Sequence, residues 1–349
     1  MLNQNAIKLL QDLISLPSFS GEEEQTAKRI EQWFSTYNIN YHRKDNNLWA
    51  TNLFFDSQKP TLLLNSHHDT VKPNQAYTRD PFTASIEDGK LFGLGSNDAG
   101  GALVALIATF THFYAQKELA YNLLLVTSAE EENAGPKSLR HLVPELPKID
   151  FAIVGEPTLM ELAIAEKGLV VFDLKLKGTP SHAAHPNADN PLMKLPQLIQ
   201  AIENLEFEKV SPLLGPVKPT LTQIKAGSQH NVVPSEVNLV LDVRVNEKYT
   251  NEEINQLVTD QLDCEVKARS LRLKSSSIDP QHPIVKAGIK LGKKTYGSPT
   301  LSDQAGLDCP SLKLGPGDST RSHSADEFIY LHEIEEGIDF YINLLNQIL

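Results

Sequence analysis

Three stretches of this chain are built round consecutive apolar residues and are no longer than a strand: TLLLNS at 61–66, NLLLVT at 122–127 and FAIV at 151–154. A strand with no polar alternation has to be covered on both faces. Helical patterns stand between these runs. Ile7, Leu9, Leu10, Leu13 and Ile14 recur at helical spacing within 5–16. Ser20 and Glu23 read as a capping box for a helix at about 22–36, and a long apolar helix spans about 100–115. With a further short run at 48–55, the alternation predicts an α/β domain whose sheet carries helices on both sides.

The texture changes near residue 168. Val170, Phe172, Leu174 and Leu176 alternate with Asp173, Lys175 and Lys177, which marks a half-exposed strand. A helix at 191–205, strands at 220–226 and 236–245, a helix at 250–262 and a strand at 265–273 complete a β-α-β-β-α-β order, the ferredoxin-like unit. A helix at 283–295 and a final amphipathic helix at 330–347 then return to the first texture. The expected organisation is one α/β catalytic domain, 1–167 with 275–349, split by a small inserted α+β domain at 168–274. The length of 349 residues suits two domains.

Composition removes several classes of function. Hydrophobic residues make up 40% and charged residues 22%, so the chain is neither disordered nor a rod. A formal charge of −12, with no basic run, is a poor match for a phosphate backbone, and no nucleic-acid partner is expected. No apolar run reaches membrane-spanning length and no signal peptide is read at the start, so neither a membrane partner nor export is expected. Cys264 and Cys309 form no C-x-x-C pair, which argues against a cysteine-built zinc site.

Reactive residues cluster where the apolar runs end. His67, His68 and Asp69 follow the first run; residues two apart share a side of a strand, so His67 and Asp69 face together and His68 faces away. A carboxylate beside a histidine fixes its ligating tautomer. In Gly93-Leu94-Gly95-Ser96-Asn97-Asp98, a carboxylate stands where the third glycine of a dinucleotide loop would be. It would repel a pyrophosphate and suits a divalent cation. Glu130, Glu131 and Glu132 follow the second run, and adjacent carboxylates repel unless a cation or a proton intervenes. Glu156 follows the third, and a late Gly-rich loop, 315–327, carries His323. The pattern reads as four apolar strands ending in His/Asp, Asp, Glu-Glu and Glu. Mixed His/carboxylate ligation suits zinc, cobalt or manganese, and a shared Asp allows two ions.

The series SHHDTV, GLGSNDAGG, EEENAG, VGEPT and SHSADEF resembles the M20 metallopeptidase/deacylase family, in the same order and over essentially the whole chain. That family includes acetylornithine deacetylase, succinyl-diaminopimelate desuccinylase, aminoacylases and some carboxypeptidases. The resemblance implies a metallo-exopeptidase-like catalytic domain with an inserted lid and dimerisation domain. By matched position it implies His67 and Glu156 on one metal, Glu132 and His323 on the second, and Asp98 bridging. It further implies Asp69 orienting His67, and Glu131 as general base. The family's usual Asp-Glu-Glu is three glutamates here, so a shift to Glu130/Glu131 stays open beside Glu131/Glu132. In GTPSHAAHP, His182 takes the place of the histidine that reaches the partner subunit's site and stabilises the oxyanion. Asn231 and Arg244 match positions that hold substrate polar groups. Arg244 suits a strand-end salt bridge as well.

What the resemblance implies for function is hydrolysis of an N-acyl amino acid. The expected substrate is N-acetylornithine, or an acetylated or succinylated citrulline or ornithine, in arginine biosynthesis. The expected enzyme is a cytoplasmic homodimer holding one or two Zn2+ ions, with Co2+ or Mn2+ as substitutes. A succinyl-diaminopimelate desuccinylase, or a lysine-biosynthetic carboxypeptidase or dipeptidase, is the alternative. A metal-binding scaffold without turnover is the reading from another class. No G-x-S-x-G occurs, which speaks against a serine hydrolase.

Overall fold

The computed structural model describes residues 2–349, and its chain divides into two compact units. The first comprises 1–164, 277–296 and 302–349; the second comprises 165–276 with a short return at 297–301. That return lies inside the segment that sequence alone assigned to the catalytic domain.

The first unit is built on one mixed sheet. Seven of its nine strands lie in the order His42–Lys44, Asn47–Thr51, Asn122–Ser128, Thr61–His67, Phe151–Val154, Ser311–Lys313, Leu162–Glu166. The strands Asn122–Ser128, Thr61–His67, Phe151–Val154 and Ser311–Lys313 are parallel neighbours, flanked by antiparallel partners. Both faces are covered, as the unbroken apolar runs require. Leu63, Leu124, Val126, Ala152 and Val154 pack with Leu139, Leu142 and Leu307. Alternate residues point to the opposite face, where Leu62 and Leu64 are equally buried and the helix Gly101–Phe113 lies. That helix is buried almost all round, which explains its lack of a polar stripe. It is flanked by Leu2–Ile14 and Leu331–Leu345.

Several sequence readings need correction. Asp98 does not end an apolar strand. It sits in the turn 96–100 that enters the long helix, after the short strand Lys90–Phe92. No capping box forms at Ser20: the helix Glu24–Thr36 starts at Glu23 without a side-chain cap, and the Ser20 hydroxyl donates to Asp69 instead. The strands Leu162–Glu166 and Ser311–Lys313, both fully buried, were not read at all. The strand expected over 265–273 is only Glu265–Ala268, and the helix expected over 283–295 stops at Lys290.

The second unit is an antiparallel four-stranded sheet in the order Lys218–Ala226, Glu236–Val245, Gly168–Lys177, Glu265–Ala268, the ferredoxin-like arrangement. Val170, Phe172, Leu174, Val237, Leu239 and Leu241 bury one face with Leu198, Ile202, Ile254 and Val258 of the helices Pro191–Glu203 and Asn251–Gln261. Thr250 and Glu253 cap the second helix reciprocally. Among the described residues no helix is long and apolar enough to cross a membrane.

Candidate metal centre

Register brings the site residues together. In the parallel sheet His67 lies beside Ser128, and Asn65 beside both Val126 and Val154. The three strands therefore end on one edge, and the residues just past those ends gather there. This is where open α/β sheets bind ligands.

His67 is 1% exposed. Its Nδ1 lies 3.0 Å from the backbone carbonyl of Asp69. A carbonyl can only accept, so Nδ1 carries a proton and Nε2 is the nitrogen left to face a cation. That Nε2 is buried without a hydrogen-bond partner. It faces Oδ1 of Asp98 at 3.5 Å and Oε1 of Glu156 at 3.9 Å. The other oxygen of Asp98 lies 3.5 Å from Nε2 of His323, which is 3.0 Å from Oε2 of Glu132. Ligands about 2.1 Å from a tetrahedral ion stand roughly 3.4 Å apart. The spacing and the orphaned nitrogen thus fit a cation on each side of Asp98. Ligand atoms of His67, Asp98 and Glu132 all lie within 4.8 Å of one another.

The three glutamates take different directions. Glu130 is in the left-handed region, φ 55°, and its carboxylate turns back to accept the Lys137 N–H at 2.9 Å. Its own N–H donates to Glu23 Oε1 at 3.1 Å. Glu132 reaches His323, while Glu131 stands in the carboxylate cluster. Burial, then the charges of Glu156, Asp303 and Glu132, hold the Glu131 carboxyl well above its usual range, against the opposing pull of His67. Burial, then Asp98, pushes Glu156 up to about 8. Carboxylates this crowded call for a compensating cation.

Asp69 does more than orient His67. Its carboxylate lies 3.3 Å from His67 Nδ1. It also accepts the backbone N–H groups of Glu131 and Glu132 at 3.1 and 3.2 Å, and the Ser20 hydroxyl at 2.7 Å. One buried anion thus ties the histidine strand to the glutamate turn. His68 points away, with Nδ1 at 2.9 Å from the Thr26 hydroxyl and Nε2 at 2.9 Å from the Asn46 carbonyl.

Sequence reasoning passed over three further groups. Glu327 is 1% exposed and accepts backbone N–H groups from Gly95, Asn97 and Asp98. Asn97 bonds the backbone of Asp318. Asp303, buried and bonded by the Ser128 hydroxyl, is pushed up to about 6 by burial. The quoted SHSADEF motif contained Glu327, but nothing local separates it from Asp326, which instead accepts N–H groups of Thr78 and Arg79.

In the second unit, Ser181–His182 pairs with Val232–Val233, and the Ala183 N–H donates to the Asn231 carbonyl at 3.0 Å. His182 and Asn231 thus lie on adjoining, exposed backbone. The Ala184 N–H donates to His182 Nδ1 at 3.1 Å, so the ring proton is on Nε2. Arg244 forks onto Asp242 at 2.9 and 3.2 Å, the salt bridge that the sequence also allowed.

Comparison with known proteins agrees with this geometry. The family model described as Peptidase family M20/M25/M40 matches residues 63–347. A succinyl-diaminopimelate desuccinylase of Ehrlichia canis is 26% identical, covering 98% of this chain and 97% of the relative. A [LysW]-lysine/[LysW]-ornithine hydrolase of Sulfurisphaera tokodaii is 29% identical over 99% of this chain and 97% of its own. The Bacillus subtilis YXEP protein, a dinuclear metal-binding peptidase of the M20 family, superposes with a TM-score of 0.73 at 15% identity, covering 99% of this chain and 97% of that one.

Proposed function

The chain belongs to peptidase family M20/M25/M40, and on that premise we propose that it removes the succinyl group from an N-succinyl diamino acid of the diaminopimelate kind. It is a metal-dependent amidohydrolase. The observation that carries the mechanism is the shared Asp98, each of whose oxygens faces a different histidine at 3.5 Å. The names of the relatives favour a succinylated substrate over the N-acetylornithine expected from sequence.

His67, Asp98 and Glu156 would hold one ion, and Asp98, Glu132 and His323 the other, with Zn2+ first and Co2+ or Mn2+ as substitutes. Such ions lower the pKa of water and polarise the scissile carbonyl. Glu131 takes the proton of the attacking water and returns it to the leaving nitrogen, one group serving both steps. Asp69 keeps His67 in its ligating tautomer. His182 offers an Nε2–H donor to the developing oxyanion. Arg244 exchanges Asp242 for a substrate carboxylate, and Asn231 supports it.

A succinylated substrate needs more positive charge than its acetylated counterpart. Lys218 stands opposite Arg244 in the sheet register, so both side chains rise from one face. Burial, then the charges of Lys218 and Arg244, hold Lys167 below the usual lysine range. We assign these cations to the carboxylates of the substrate. A cytoplasmic homodimer, and a place in lysine rather than arginine biosynthesis, belong to the same proposal.

The test is amine release by metal-reconstituted protein from N-succinyl-diaminopimelate, N-acetylornithine and N-acetylcitrulline. The expected kcat/KM favours the succinylated substrate by about tenfold or more, roughly 1.4 kcal/mol of transition-state binding. Preference for N-acetylornithine would return the enzyme to arginine biosynthesis. The Sulfurisphaera relative supports a second reading, a hydrolase of lysine or ornithine held on a carrier protein. Turnover of a lysine-bearing carrier peptide alone would establish that one.

A further inference from the structure

The two sides of the metal centre are supported differently. His67 ends one parallel strand and Glu156 follows its neighbour, so the register of the two strands sets their separation. His323 comes from a loop outside the sheet, with φ 57°, and needs another support.

That support is visible. The N–H groups of Asn97 and Asp98 converge on Oε1 of Glu327 at 2.8 and 2.9 Å, and that of Gly95 on Oε2 at 3.1 Å. Successive amides wrapped round an anion make a nest, here built on Gly95 at φ 74°. Asn97, fully buried, reaches the same loop at its other end: its Nδ2 donates to the Asp318 carbonyl, and its Oδ1 accepts the Asp318 N–H, each at 3.0 Å. Gly317 permits this approach. It has φ 92°, and a Cβ there would stand 2.5 Å from Asn97 Oδ1. The loop is thus gripped at 318 and at 327, and His323 lies between the grips. Both grips act on the turn that carries Asp98.

We propose that Glu327 and Asn97 are positioning residues that set the affinity of the Asp98–Glu132–His323 ion site far more than that of the His67–Asp98–Glu156 site, whose other two ligands are placed by the sheet. Neither residue touches an ion. Each acts through the distance between Asp98 and His323. The inference rests on reading the centre as a pair of metal sites.

The test is calorimetric titration of Zn2+ or Co2+ into chelator-treated full-length protein, for wild type, Glu327→Gln and Asn97→Ala. Wild type should take two ions per chain. In each variant one step should stay within about threefold, while the other falls roughly 10–100-fold, the usual cost of losing an outer support. Gly317→Ala attacks the Asn97 grip from the other side and should repeat its effect, which covers failure of either variant to fold. Activity should recover as Co2+ is raised, because the reacting groups are untouched. Two ions in wild type with both steps unchanged, or equally weakened, in the variants would overturn this inference alone. A wild type that binds no second ion would overturn the paired-site reading itself.

Discussion

The half of the centre built on strand ends and the half built on a loop use the same ligand chemistry, yet they are held by different physics. His67 and Glu156 follow strands locked by backbone ladders, so their spacing comes with the sheet. Glu132 and His323 sit in a turn and a loop, and side-chain anions tie both to the rest of the centre: Asp69 accepts N–H groups of the glutamate turn, and Glu327, from the His323 loop, accepts those of the Asp98 turn. Where a ladder ends, buried carboxylates that accept backbone N–H groups take over its work.

The largest effect tests the proposed base, Glu131, which stands between the two halves. Glu131→Gln should keep both ions yet lose about 10²–10⁴-fold in kcat; metal analysis alongside steady-state kinetics decides it, and near-full activity would remove Glu131 from its role. Next, Glu156→Ala and His323→Ala should each lose one ion per chain, but different ones. Two Co2+ spectra that cannot be told apart would erase the distinction between the halves. Asp69→Asn keeps the shape but weakens three acceptor contacts at once, so both ions should bind roughly 10–100-fold more weakly. Loss confined to the His67 side would reduce Asp69 to a histidine partner only.

A subtler effect lies in pH. In metal-free protein Glu156 and Glu327 are pushed up to about 8, chiefly by burial, and His323 to about 9, chiefly by its bond to Glu132. Between their unfolded pKa values and these, the folded chain holds protons that the unfolded chain releases, so stability falls as pH rises. The melting temperature of metal-free protein should therefore drop from pH 6.5 to 8. Each buried carboxyl contributes up to about 1.4 kcal/mol per unit. Added Zn2+ should flatten the slope, since the cation replaces the protons. The smallest effect is expected of Glu130→Gln. Its carboxylate accepts the Lys137 N–H and faces away from the centre, so kcat should stay within about twofold and stability should fall by about 1 kcal/mol.

Much of this was legible in order and type. Unbroken apolar runs announced a doubly covered sheet, and reactive residues at their ends announced the edge where the candidate site lies. Alternation after residue 168 announced the inserted sheet, whose observed strand order is ferredoxin-like. What stayed hidden was small or long-range. Ser311–Lys313 is too short to show a period, and Leu162–Glu166 merges with the strand that follows it. Ser20 had the right spacing for a cap, but its hydroxyl meets Asp69 across 49 positions of sequence.

The sequence by itself determined the fold class and the order of the candidate ligands along the chain, because these follow from residue type and local period. Only the tertiary structure decided which of three adjacent glutamates turns away, which carboxylates carry backbone instead of metal, and whether Arg244 is already paired. Those choices depend on bonds between distant segments: Glu23 to Glu130, Asp69 to Glu131, Glu327 to Asp98. No local periodicity encodes such bonds, because each exists only once the sheet has set its strand ends side by side.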